Sequence, residues 1–147
     1  MTVTLLLATL ALLGALQDKG VSVTYSTLEK GTTSGFQSPL QMFVASEKDW
    51  IDLWEKRQGS NAPARTHPDV DFKRDVVVVA ALGSKESGGY SIEIAKIVQT
   101  KENVVVTVRI GAPPPGTTSK GGPTSPFVLV RMKKPDRPVT FVEEEKK

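Results

Sequence analysis

Val76-Val77-Val78-Val79-Ala80-Ala81 carries no polar side chain, so it reads as a strand buried on both faces. Immediately after it, Leu82-Gly83-Ser84-Lys85-Glu86-Ser87-Gly88-Gly89 is an exposed, Gly-rich connection. Tyr90, Ile92 and Ile94 then alternate with Ser91 and Glu93, the period of a half-buried strand. Adjacent glycines permit dihedrals closed to other residues, and Tyr90 sets a large amphipathic side chain at the loop's exit. That is the layout of a recognition loop. By itself it performs no bond chemistry.

Around this centre the pattern is mostly β. Val21–Thr27 alternates like a strand, Gly31–Gly35 is a turn, and Leu40–Val44 is a short apolar strand. One helix is predicted near residues 46–58, with Ser46 as N-cap and Glu47 and Asp49 in the first turn, where the dipole favours them. Trp50, Ile51, Leu53 and Trp54 gather on one side of it, and Gly59 is its expected stop. Two tryptophans four apart invite a ligand-stacking role, but such a stripe more often seals a helix onto a sheet. Further strands are expected at 76–82, 90–98, 103–110 and 127–133, with an edge strand at 139–142. The alternation slips after Ile94, which a β-bulge near Ala95 explains. Lys101-Glu102-Asn103 is a hairpin connection. The expected fold class is therefore α+β: a mostly antiparallel β-sheet, sandwich-like or strongly curved, with one amphipathic helix.

One connection stands apart. Residues 112–126 contain Pro113-Pro114-Pro115-Gly116 and Gly121-Gly122-Pro123, so they form neither a regular helix nor a central strand. A hairpin loop has about 2–5 residues, and one this long is either a binding loop or a linker. If the strands on either side of 99–103 are antiparallel, this loop and the one at Gly88 emerge at the same end of the sheet.

The bulk numbers bound the function. The 147 residues make room for one domain, with 39% hydrophobic content for its core. A net charge of +3, mixed along the chain, is too small to imply a nucleic-acid partner. The chain contains no cysteine, which excludes disulfides, thiolate catalysis and thiolate metal sites. Residues 1–17 read as a signal peptide or an N-terminal apolar leader, 20–142 as a single domain, and 143–147 as a charged, solvated tail. Val3–Leu16 is shorter than the roughly 20 apolar residues of a spanning helix, and its length suits a secretory h-region. No Lys or Arg precedes it, and a buried N-terminal helix is the competing reading. Export implies an extracytoplasmic location: periplasm, cell envelope or medium. Membrane contact is then expected only through the leader, if it stays uncleaved.

Catalytic patterns fail one by one. Gly83-x-x-x-x-Gly88-Gly89 lacks the lysine and the following helix of a phosphate-binding loop. His67, with Asp69 and Asp71, offers three metal ligands, but a proline intervenes; a turn in which Asp71 caps backbone amides fits better. His67 is also the sole histidine for any Ser-His-Asp arrangement, and no Gly-x-Ser-x-Gly elbow occurs. Arg131, Lys133, Lys134 and Arg137 lack the aromatic platforms of a nucleic-acid groove, and read as the lysine protection of an edge strand. No catalytic residue, metal site or cofactor is expected.

Val70-Asp71-Phe72, the strand ending in Leu82-Gly83, Gly88-Gly89-Tyr90-Ser91-Ile92, the Pro-Gly-rich loop and Thr124-Ser125-Pro126-Phe127 together resemble the PrcB carboxy-terminal domain family. The resemblance covers about Phe43 to Lys133. That family takes its name from a subunit of a bacterial surface protease complex and has no assigned catalytic activity. The resemblance implies a non-enzymatic, extracytoplasmic accessory module that binds or stabilises an exported protease. Ser87-Gly88-Gly89-Tyr90-Ser91 is also similar to a loop of chagasin-type cysteine-protease inhibitors, which makes loop-based peptidase inhibition the alternative. The expected contact residues are Gly88, Gly89, Tyr90 and Ser91 in one loop, and Pro114, Pro115, Gly116, Ser125, Pro126 and Phe127 in the other. Tyr90 is either the anchor of that surface or the first inward residue of its strand.

Overall fold

The computed structural model describes residues 19–58, 66–117 and 121–147; the leader at 1–17 and the helix stop at Gly59 lie outside the described residues. In chain order these form β1 (Val21–Ser22), β2 (Tyr25–Gly31), β3 (Leu40–Val44), α1 (Glu47–Gln58), β4 (Asp75–Ala81), β5 (Ser91–Gln99), β6 (Val104–Gly111), β7 (Phe127–Lys133) and β8 (Val139–Glu145). Two four-stranded sheets result, ordered β1-β5-β6-β8 and β2-β7-β4-β3. Every pairing is antiparallel except β6 with β8. The fold is α+β and mostly antiparallel sheet, as the sequence predicts.

Layering explains the all-apolar run. Val76, Val78 and Ala80 of β4, with Val128, Val130 and Met132 of β7, face the β5 and β6 side chains Ile92, Ile94, Ile97, Val106 and Val108. Val77, Val79 and Ala81, with Phe127 and Leu129, face Trp50, Leu53 and Trp54 of α1. A strand held between a sheet and a helix has no wet face, so it tolerates no polar residue. Trp50 is 1% exposed, with its Nε1 donating to the Pro68 carbonyl at 3.0 Å, so the tryptophan pair is core. Ser46 caps α1 by accepting the Asp49 amide at 3.2 Å. Near the other end of α1, Arg57 lies over the rings of Trp54 and Phe127 and pairs with Glu29 of β2.

The bulge is where the period slips. Ile94 opposes Val108 and Lys96 opposes Thr107, which leaves Ala95 unmatched. Beside it the Ile94 carbonyl accepts the Tyr25 hydroxyl at 3.0 Å, a bond that ties β2 to the opposite sheet. Before β4, Asp71 accepts the Lys73 amide on Oδ1 at 3.1 Å and the Asp75 amide on its carbonyl at 2.8 Å, as the turn reading requires.

Three expectations are corrected. The strand predicted at Val21–Thr27 breaks at Val23-Thr24 and changes sheets, β1 pairing with β5 and β2 with β7. A continuous alternating strand cannot reveal such a corner, because both halves keep the same period. β7 lies between β2 and β4, so Arg131 and Lys133 do not guard an edge. Of the charged tail predicted at 143–147, residues 143–145 belong to β8 beside β6, and the Lys146 amide still donates to the Ile110 carbonyl at 2.8 Å. Arg109 of β6 holds that extension, reaching Glu144 at 2.7 Å and Glu93 of β5 at 3.3 Å.

Candidate functional site: two laced loops

Strand register brings the two singular loops together. Ser91 opposes Gly111, and Ala81 opposes Phe127, so the connections 82–90 and 112–126 leave the sandwich at the same end. They are also bonded to each other. Lys85 and Thr124 exchange both backbone hydrogen bonds, at 2.7 and 2.9 Å, as an isolated antiparallel bridge. The Thr124 hydroxyl donates to the Ser87 carbonyl at 2.8 Å, and the Leu82 amide donates to the Pro126 carbonyl at 3.0 Å.

A third segment, following β2, braces the pair. The Ser125 amide donates to the Thr32 carbonyl at 2.8 Å. Its Oγ accepts the Ser34 amide at 2.5 Å and donates to the Ser34 carbonyl at 2.8 Å. Gly83 turns the first loop with φ +76°, and a Cβ there would sit 2.7 Å from the Ser38 carbonyl carbon. Only glycine fits that corner.

The predicted contact residues divide into three groups. Gly88, Gly89, Tyr90 and Ser91 enter β5, with Gly89 in the left-handed region at φ +88°. Tyr90 is half-buried: it packs on the inter-sheet core, while the Lys85 ammonium stands 5.2 Å from its ring centroid. It is thus partly core and partly surface. Ser91 opens β5 against Gly111, where an added Cβ would lie 2.3 Å from the Ser91 hydroxyl. Pro114, Pro115 and Gly116 are exposed and form a tight turn, with the Thr117 amide donating to the Pro114 carbonyl at 3.2 Å and Gly116 at φ +79°. Proline followed by a left-handed glycine is type II turn chemistry.

Ser125, Pro126 and Phe127 lie deeper. All three are buried, Ser125 at 7% and Phe127 at 2% exposure, with the Phe127 ring in the helix-side core. They anchor the loop from beneath. Sequence reasoning missed Lys85 and Thr124 as the lace between the loops, because nothing local in either segment signals a bond across that separation. Among the described residues, no group of three or more His, Cys, Asp or Glu side chains gathers to hold a metal ion. His67 instead lies edge-on to Trp50, with ring centroids 6.5 Å apart.

Both loops fall within one stretch that can be compared with known proteins. Residues 76–133 match the PrcB C-terminal family. The PrcB C-terminal match runs from β4 to the end of β7, so it contains both loops and the strands that present them. It shares the end of the expected resemblance at Lys133 but begins at Val76, leaving β3 and α1 outside. Neither a curated protein nor a solved structure matches the chain.

Proposed function

We propose that the chain is a non-enzymatic binding module acting outside the cytoplasm, accessory to an exported protease that it holds or stabilises through the laced loop end. The PrcB C-terminal match supports the protease-complex context, since that family is an accessory one with no known catalytic role. The observation that carries the reading is the backbone bridge between Lys85 and Thr124. Two loops tied before binding lose less conformational freedom on docking, so more of the contact energy appears as affinity. Lys85, Tyr90 and the turn at Pro114–Gly116 supply the contact chemistry: a cation, an aromatic ring of low side-chain entropy and a stiff apolar knuckle.

Co-expression with the exported protease tests the proposal through two readouts. An accessory module lengthens the protease's half-life and leaves its initial rate unchanged. Near-stoichiometric slowing of the rate would instead establish the inhibitor reading, and no effect on either would sink both. Tyr90→Ala is expected to weaken the complex by about 2 kcal/mol. Calorimetric titration against the purified protease measures that loss.

A further inference from the structure

We infer that the end of the sandwich opposite the loops is a basic docking face for an anionic lipid surface. Antiparallel pairing of β4 and β7 sets Asp75 against Lys133, and the Lys134 amide donates to the Arg74 carbonyl at 2.7 Å. Lys73, Arg74, Lys133 and Lys134 consequently ring a shallow hollow of about 660 Å³. Among the described residues Lys73, Lys133 and Lys134 make no ion pair, and the Arg74 side chain, 85% exposed, lies 3.9 Å from its nearest carboxylate, Asp71.

The two carboxylates of the hollow have arginine partners, and Lys133 acts on Asp136 only through its charge. Asp136 is held by Arg137 at 2.8 Å, and Asp75 faces Arg131 at 4.0 Å. What remains is a cluster of exposed point charges without a built pocket. Such a cluster suits many phosphates spread over a plane better than one oriented ligand.

The path of the chain favours a membrane as the source of that plane. β1 begins at this same end, where Val21 opposes Gln99 and is 71% exposed. A second hollow, of about 300 Å³, runs from Val23, just after β1, and Gln99 to Lys133 and Lys134 of the basic cluster. Upstream of β1 the sequence holds the apolar run Val3–Leu16 followed by Lys19. An apolar segment and a basic patch in one chain supply the two signals that stable peripheral anchoring needs. Nucleic acid is disfavoured, because no aromatic side chain lines the basic hollow. With the face on a bilayer, the loops point away from it and stay free for a protein partner.

The test is sedimentation of the full chain with phosphatidylcholine vesicles, with and without phosphatidylglycerol, at low and high salt. The account expects a preference for the anionic vesicles that falls as salt rises. It expects Lys133→Gln/Lys134→Gln to cut that preference at least roughly tenfold while leaving partition onto neutral vesicles unchanged. Lys30→Gln/Lys96→Gln removes the same charge from exposed positions elsewhere and is expected to change little. Equal losses in the two double variants would reduce the effect to net charge and overturn the inference. So would a parent chain indifferent to phosphatidylglycerol. Tighter, Lys133- and Lys134-dependent binding to a single-stranded oligonucleotide would also overturn it, reassigning the face to nucleic acid.

Discussion

At the loop end, Lys85 and Thr124 trade backbone hydrogen bonds over a buried Ser125, while at the other end Lys73, Lys133 and Lys134 stand in solvent without an ion pair among the described residues. One end fixes geometry and the other only concentrates charge. The difference teaches how a small sandwich could divide recognition under the two proposals. A braced loop pair selects a shaped partner, whereas loose lysines sense the sign and density of charge on whatever lies beneath them.

If that contrast is right, substitutions in the bracing of the loop end are costly to folding and those of the exposed lysines at the basic end are nearly silent. Gly83→Ala puts a side chain into a left-handed corner against backbone, and is expected to cost about 3 kcal/mol in urea unfolding. Ser125→Ala strands the Ser34 amide and carbonyl together, for a loss of about 2 kcal/mol by the same measurement. Lys85→Ala removes only the ammonium beside Tyr90 and keeps the backbone bridge, so about 0.5 kcal/mol is expected.

At the basic end, Arg137→Ala is read by pH instead. The Arg137 guanidinium, through its hydrogen bond and then its charge, holds the Asp136 carboxyl below the usual carboxylate range. A depressed carboxyl favours the fold at neutral pH, and that contribution disappears as pH falls through the folded-state value. Arg137→Ala is expected to move the Asp136 titration, followed by NMR, up towards the ordinary carboxylate value. A loop end as tolerant as the basic end across this series would erase the contrast.

Local patterns made much of this legible. The all-apolar β4, the bulge at Ala95, the cap at Ser46 and the shared exit of the two loops all follow from period, turn chemistry and a short hairpin. What escaped is non-local. β8 lies parallel to β6 only because the chain crosses between sheets at 134–138, and nothing in Val139–Glu145 encodes a neighbour. Ser125 sits among Pro and Gly and reads as exposed loop, yet its partner Ser34 is 91 residues away. The lace between Lys85 and Thr124 is hidden for the same reason: a two-residue bridge has no periodicity to detect.

The claim that the laced loops form one protein-binding surface is tested most directly by site-specific photo-cross-linking in the cells that make the protein. A photoreactive residue is placed in turn at Tyr90, at Pro115 and, on an exposed strand position away from both loops, at Lys96. The account predicts that Tyr90 and Pro115 capture the same protein and that Lys96 captures none. Capture of unrelated proteins by the two loop positions, or of one protein from Lys96 alone, would contradict it.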